Sequence, residues 1–222
     1  MPRRALKLRG ILHTMITTEA MKIRKATEDD ILRMMEIYSF ARAFMAEHGN
    51  PNQWGPTNWP PEELLHEDIR AGNSYVCLSD KGDISNTSII ADEGDISTTD
   101  VISDEGDISS SNSIADEGNI VCTFFFTSGH DIEPTYRTIT DGAWIGDDDY
   151  GVVHRIASDG TVKGAGMFCL NWAFEQCGHL RMDTHGDNTV MQSMLKKAGF
   201  IHCGTIYVEE DDYPRLAYEK IK

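Results

Sequence analysis

The chain has 222 residues, enough for one ordinary domain with a real core and short for two. Its 40% hydrophobic and 25% charged content is that of a globular protein, and no apolar run is long enough to cross a bilayer. The net charge of −16 is concentrated: eleven acids between Asp80 and Glu117 face Lys81 alone, so ten of the sixteen net negative charges lie there. Without a broad basic face to replace phosphate counterions, nucleic-acid binding is excluded as the expected role.

The first twenty residues carry Arg3, Arg4, Lys7 and Arg9, which break up any signal-peptide core. They read as an extension, disordered or preceding the true start, because Met21 opens the first clean strand, MKIRKA. Thr27, followed by Glu28, Asp29 and Asp30, is an N-cap with acids in the first turn. The helix it starts places Ile31, Met34, Met35, Tyr38, Ala41 and Phe44 or Met45 on one face and stops at Gly49. A proline-containing loop carrying Trp54 and Trp59 leads to a second, short helix, PEELLHEDIRAG, and then to the strand NSYVCLSD.

A period of twelve follows, D-x-G-D/N-I recurring at Asp80, Asp92, Asp104 and Asp116. Removing three whole periods, residues 83–118, joins Gly82 to Asn119 and leaves an ordinary β-hairpin. The repeat is therefore expected to be an acidic insertion at a hairpin tip between the second and third strands, where added chain is tolerated. Its Ser, Asp, Thr and Gly content points to a solvated segment. An extended ribbon stands second, and a calcium array fits neither the period nor the glycine count.

Beyond it come the strand NIVCTFFFT, an Asp-rich loop, the strand YGVVHRIAS, a Gly-rich turn entering a helix that ends at Gly178, and the strand LRMDT. A helix over DNTVMQSMLKKAGF and the strands IHCGTIYV and PRLAYEKI complete the chain. Without the repeat the order is β-α-α-β-β-β-α-β-α-β-β, an α/β (α+β) domain spanning 21–222 with a mixed, mostly antiparallel sheet flanked by helices. The five cysteines are odd in number, scattered and without a C-x-x-C pair, so neither a disulfide framework nor a metal site is expected; a reducing, cytoplasmic setting fits them.

The sharpest chemical feature is the turn Gly160-Thr161-Val162-Lys163-Gly164-Ala165-Gly166 between a strand and a helix. Glycines let a ligand approach the backbone, and the amides at a helix start attract phosphate. A tight strand-to-helix turn accounts equally well for the same residues, and neither the Rossmann nor the Walker pattern is complete.

HRIASDGTVKGAGMFCLNWA resembles the strand, pyrophosphate loop and helix of the GNAT superfamily of N-acetyltransferases, usually written [RQ]-x-x-G-x-[GA]. DNTVMQSMLKKAGF resembles the family's next motif, N-x-x-A-x-x-L-Y-x-K-x-G-F. The resemblance implies the GNAT acyltransferase fold and acetyl-coenzyme A as cosubstrate. It also implies transfer of acetyl to a primary amine of a small molecule, or less readily of a protein, by direct attack. The cosubstrate would lie along Ile156, Ala157 and Ser158, on the amides from Thr161 and Val162 through Lys163, Gly164 and Ala165 to Gly166 and Met167, and at Asn188.

Two positions depart from the pattern. Thr161 stands where Arg or Gln is usual, and Leu195 where many members carry a tyrosine that reprotonates the thiolate. His154 is the candidate base, though alternation puts it on the face of Ile156, where a core histidine would also fit. Asp147, Asp148, Asp149, Glu133, Asp183 and His185 are further candidates, and Trp54 and Trp59 fall where the family lines its acceptor site. The two departures leave a second reading open, a coenzyme A-binding or interaction protein whose transferase site has decayed. A small-molecule amine is the expected partner, no metal or membrane is implied, and an exposed sheet edge leaves room for a homodimer.

Overall fold

The structure, a computed structural model, describes residues 21–79, 118–208 and 213–222. The expected 1–20 extension and the readings of the 83–118 repeat lie outside the described residues. Element order follows the expectation: β1 (Met21–Lys25), α1 (Ile31–Glu47), α2 (Glu62–Ala71), β2 (Ser74–Ser79), β3 (Asn119–Gly129), β4 (Tyr150–Ser158), α3 (Ala165–Cys177), β5 (His179–His185), α4 (Thr189–Lys197), β6 (Ile201–Tyr207) and β7 (Pro214–Ile221). Among the described residues two short 3-10 turns join it, Glu28–Asp30 running into α1 and Pro134–Arg137 between β3 and β4.

The seven strands form one sheet in the order β1-β2-β3-β4-β5-β7-β6. Every neighbouring pair is antiparallel except β4 and β5. Side chains alternate across the sheet. Val76 and Leu78 of β2 pack with Ile31, Met34, Ile37 and Tyr38 of α1 on one face. Cys77 packs with Ala165, Cys169, Leu170 and Ala173 of α3, and with Leu195 of α4, on the other. α2 ends at Gly72 in the left-handed conformation, as the sequence predicts. On the insert's two sides, Ser79 and Asn119 are direct partners across the β2–β3 pair.

Beneath the Asp-rich segment, Glu219 is wholly buried and accepts hydrogen bonds from His179 Nε2 (2.6 Å), Arg181 Nε (2.9 Å) and the Ile145 amide. Burial would raise its carboxyl, but these donors and the Arg181 charge hold it below the usual range. All five cysteines are free thiols, and Cys77, Cys122 and Cys169, far apart in sequence, are fully buried in one cluster. Among the described residues no group of His, Cys, Asp or Glu is arranged to hold a metal, and no helix is long and apolar enough to cross a membrane.

Candidate active site

β4 and β5 pair only at Gly151–Leu180 and Val152–Arg181. Beyond these residues the strands part, leaving the β5-side edge of β4 from Val153 to Ser158 with no described strand beside it. The cause is local. Arg155 takes φ +51°, and the β3–β4 register shifts between Thr123 and Phe125, so a bulge bends β4 away from its parallel neighbour. Tyr38 of α1 holds the bulge by donating its hydroxyl to the Arg155 carbonyl at 3.0 Å. The Arg155 side chain is tied to Asp68 of α2 at 2.5 Å, and its guanidinium lies over the Phe125 ring.

The gap opens into a cleft of about 1550 Å³. Its walls include Ile156, Ala157, Ser158, Val162, Lys163, Gly164, Ala165, Gly166, Met167 and Asn188, as well as His154. Thr161 is not on this wall. Its hydroxyl and amide both turn to Asp159 Oδ1, at 2.7 and 3.0 Å, so it shapes the loop from behind.

α3 starts without a capping side chain, from Gly164 at φ +91°. The first backbone bond of helical spacing runs from Phe168 N to Gly164 O, so the Gly166 and Met167 amides precede the first intrahelical donor. Amides left without acceptors at a helix start carry partial positive charge, which favours an anion there. Gly164 is required by its left-handed backbone, and a Cβ on Gly166 would stand 3.3 Å from Met194 Sδ. Lys163 and Lys197 on the wall add positive charge.

Asn188 caps α4, accepting from the Met191 amide at 3.0 Å, and donates Nδ2 to Gln53 Oε1 at 2.9 Å. Gln53 also accepts from Asn50 Nδ2 at 2.7 Å, so the α1–α2 loop is fastened across the cleft to the start of α4. That loop brings Trp54 and Trp59 to the cleft, both half-buried, with Trp54 edge-on to Tyr38.

At the other end His154, Glu133 and Asp183 come together from β4, the segment before it, and β5. His154 Nε2 lies 2.9 Å from Glu133 Oε2, and His154 Nδ1 lies 4.0 Å from Asp183 Oδ1. The bulge breaks the alternation that would pair His154 with Ile156. Both line the cleft, but Ile156 is buried and packs into the core as well, whereas His154 is half-buried with its ring nitrogens toward Glu133 and Asp183. Burial alone would raise the Glu133 carboxyl. The hydrogen bond and charge of His154, with two bonds from Thr135, overcome this and bring it down to about 2.

Asp183 accepts from the Tyr136 hydroxyl at 2.7 Å, with Arg215 Nη1 3.5 Å from its other oxygen. Tyr136, Arg215 and Tyr213, the last two on the cleft wall, went unread in the sequence. They arrive from two separate segments, the turn before β4 and the start of β7, and no local pattern marks them.

Other candidates fall elsewhere. Asp147, Asp148 and Asp149 are exposed and off the cleft, Asp149 pairing with the exposed His130. His185 is buried against the Tyr213 ring and is not on the wall. Leu195 does not face the cleft; it is fully buried in the core beside α3, so the position expected to carry a tyrosine points inward.

No family model matches the chain, and no curated protein matches it in sequence. Solved structures do. A GNAT-family acetyltransferase from Streptococcus agalactiae is 27% identical, with 91% of this chain and 95% of that chain covered and a TM-score of 0.66. One from Listeria monocytogenes is 12% identical, with 90% and 94% covered and a TM-score of 0.54. NAA60 of Arabidopsis thaliana, solved in complex with acetyl-CoA, is 8% identical, with 90% and 97% covered and a TM-score of 0.51. The fold is that of the GNAT acetyltransferases.

Proposed function

We propose that this GNAT fold serves an N-acetyltransferase that moves an acetyl group from acetyl-coenzyme A to a primary amine of a small molecule. One observation carries the reading: an uncapped, glycine-entered helix terminus and a His154–Glu133 pair share a single cleft at a parting of two parallel strands. The 27% identical Streptococcus agalactiae acetyltransferase supports it.

The residues present fit such a cosubstrate. The Val162–Met167 amides, with Lys163 and Lys197, suit a pyrophosphate, and the unpaired β4 edge at Ile156, Ala157 and Ser158 suits an amide-bearing arm. Acetyl-coenzyme A supplies an activated thioester carbonyl and a stable thiolate leaving group. The chain's part is to hold the carbonyl beside β4 amides that stabilise developing oxyanion charge, and to strip a proton from the incoming ammonium. His154 is the base, on the cleft wall and oriented by Glu133. With Leu195 buried and no tyrosine in α4, protonation of the thiolate falls to water or to another wall group.

Isothermal titration with acetyl-coenzyme A tests the binding half: saturable binding is expected in the wild type and its loss in Gly164→Val and Gly166→Val. Thiol release across a panel of amines tests transfer. Binding without any amine-dependent turnover would leave the coenzyme A-binding interaction protein as the better account.

A further inference from the structure

The hydrogen bonds around His154 distinguish its two ring nitrogens. Glu133, with Oε1 taking both the Thr135 hydroxyl (2.7 Å) and amide (3.3 Å), offers Oε2 to Nε2 as an acceptor. An ionised carboxylate has no proton to give, so the hydrogen of this bond is on Nε2, and neutral His154 keeps its lone pair at Nδ1. Nδ1 faces Asp183 Oδ1 at 4.0 Å, too far for a hydrogen bond between them. Asp183 is held in place by Tyr136 and Arg215, and both His154 and Asp183 line the cleft. Two acceptors so spaced bracket a point about 2.9 Å from each, the ordinary reach of an N–H donor.

We infer that His154 Nδ1 and Asp183 Oδ1 form a cradle for the acceptor's ammonium, with Glu133 a positioning residue that keeps Nδ1 bare. This deepens the transferase reading and rests on it. In the cradle one N–H of the ammonium points to Asp183 and another to Nδ1. His154 takes the second proton, freeing the nitrogen lone pair to form the new C–N bond as the C–S bond breaks and its electron pair leaves on sulfur. The nitrogen's surplus proton goes to the thiolate, and the His154 proton returns to solvent, so one amine cation and one thioester give one amide, one thiol and one proton. The imidazolium so formed lies between Glu133 and Asp183. Arg215 behind Asp183, Asp68 of α2, Arg155 paired to Asp68 and the Phe125 and Tyr136 rings lie around it.

The test needs no acyl donor. Nitrogen NMR of His154 in the free protein, at about pH 8 and so above the ordinary imidazole range, is expected to show the proton on Nε2. Glu133→Gln, whose amide can donate instead, is expected to move population to the Nδ1–H tautomer, and Glu133→Asp to restore the wild-type pattern. Methylammonium is expected to shift the Nδ1 resonance, and tetramethylammonium, which has no N–H, to leave it unchanged. Asp183→Asn keeps an oxygen for Tyr136 and is expected to weaken the methylammonium response at least tenfold. A proton on Nδ1 in the free wild type, or a wild-type resonance that methylammonium does not move, overturns the inference; so does an Asp183→Asn protein that responds as the wild type does. If Asp183→Asn fails to fold, the two wild-type titrations decide alone. A chain with both signals but no acetyl-coenzyme A binding refutes the transferase reading and leaves the cradle standing.

Discussion

The Tyr38 hydroxyl and the Arg155 carbonyl, 117 positions apart, are joined by a 3.0 Å hydrogen bond that ties α1 to the bulge in β4. Tyr38 is fully buried, and burial outweighs the nearby Arg155 charge to keep its phenol protonated and donating. The bond thus sits at the point where β4 leaves β5.

Tyr38→Phe removes the donor and leaves the Arg155 carbonyl short of a partner. A loss of about 1 kcal/mol is expected from chemical denaturation. Acetyl-coenzyme A affinity is expected to fall with it, because the bulge sets the line of the β4 edge. An unchanged affinity would detach the bulge from the binding site.

Glu133 makes an acid-range prediction. Its carboxyl is at about 2 in the folded chain against an ordinary 4.5. A depressed folded value means the stabilisation is fully present above 4.5 and lost as pH falls through the folded value. Up to about 3 kcal/mol is at stake by linkage. Glu133→Gln is expected to lose less stability than wild type between these two pH values in acid unfolding, and equal slopes would refute the pairing with His154.

Deleting residues 83–118 leaves Asp80, Lys81 and Gly82 to join the directly paired Ser79 and Asn119. A three-residue hairpin loop with glycine at its end is a common connection. The shortened chain is expected to melt cooperatively and bind acetyl-coenzyme A with the affinity of the full chain. Failure to fold would make the repeat a structural part of the domain.

Leu195→Tyr would restore the residue that the resemblance leads one to expect, yet it is not expected to restore an acid. The side chain is wholly enclosed among Cys169, Leu170 and their neighbours, so a larger ring costs about 1–3 kcal/mol through overpacking. A lowered melting temperature with no gain in thiol release is the expected outcome.

The element order was legible because hydrophobic periodicity and the Gly, Pro and Asn breaks are local signals, and they reached all eleven helices and strands of the described residues. The bulge was not legible. Arg155 adopts a left-handed backbone with no glycine or asparagine to announce it, and that one residue breaks the alternation, so that half-buried His154 and core-packed Ile156 both reach the cleft. His154, Glu133 and Asp183 were each visible as candidates, but their meeting depends on how three segments pair in space. Thr161 and Leu195 show the other limit: aligning a motif gives a position, whereas the direction of the side chain is decided by Asp159 in one case and by the core in the other.

The buried thiols bear on how the protein can be followed at the bench. Burial pushes Cys177 upward and, with help from Glu219, Cys203 to about 11; the neighbouring Cys169 thiol and burial raise Cys77 further, as the Cys122 thiol and burial raise Cys169. Neutral, enclosed sulfur reacts slowly with chromogenic disulfide reagents. The native chain is therefore expected to be a quiet background against which released coenzyme can be read. The same reagent becomes a clock for unfolding, since all five sulfurs come into view as the sheet opens.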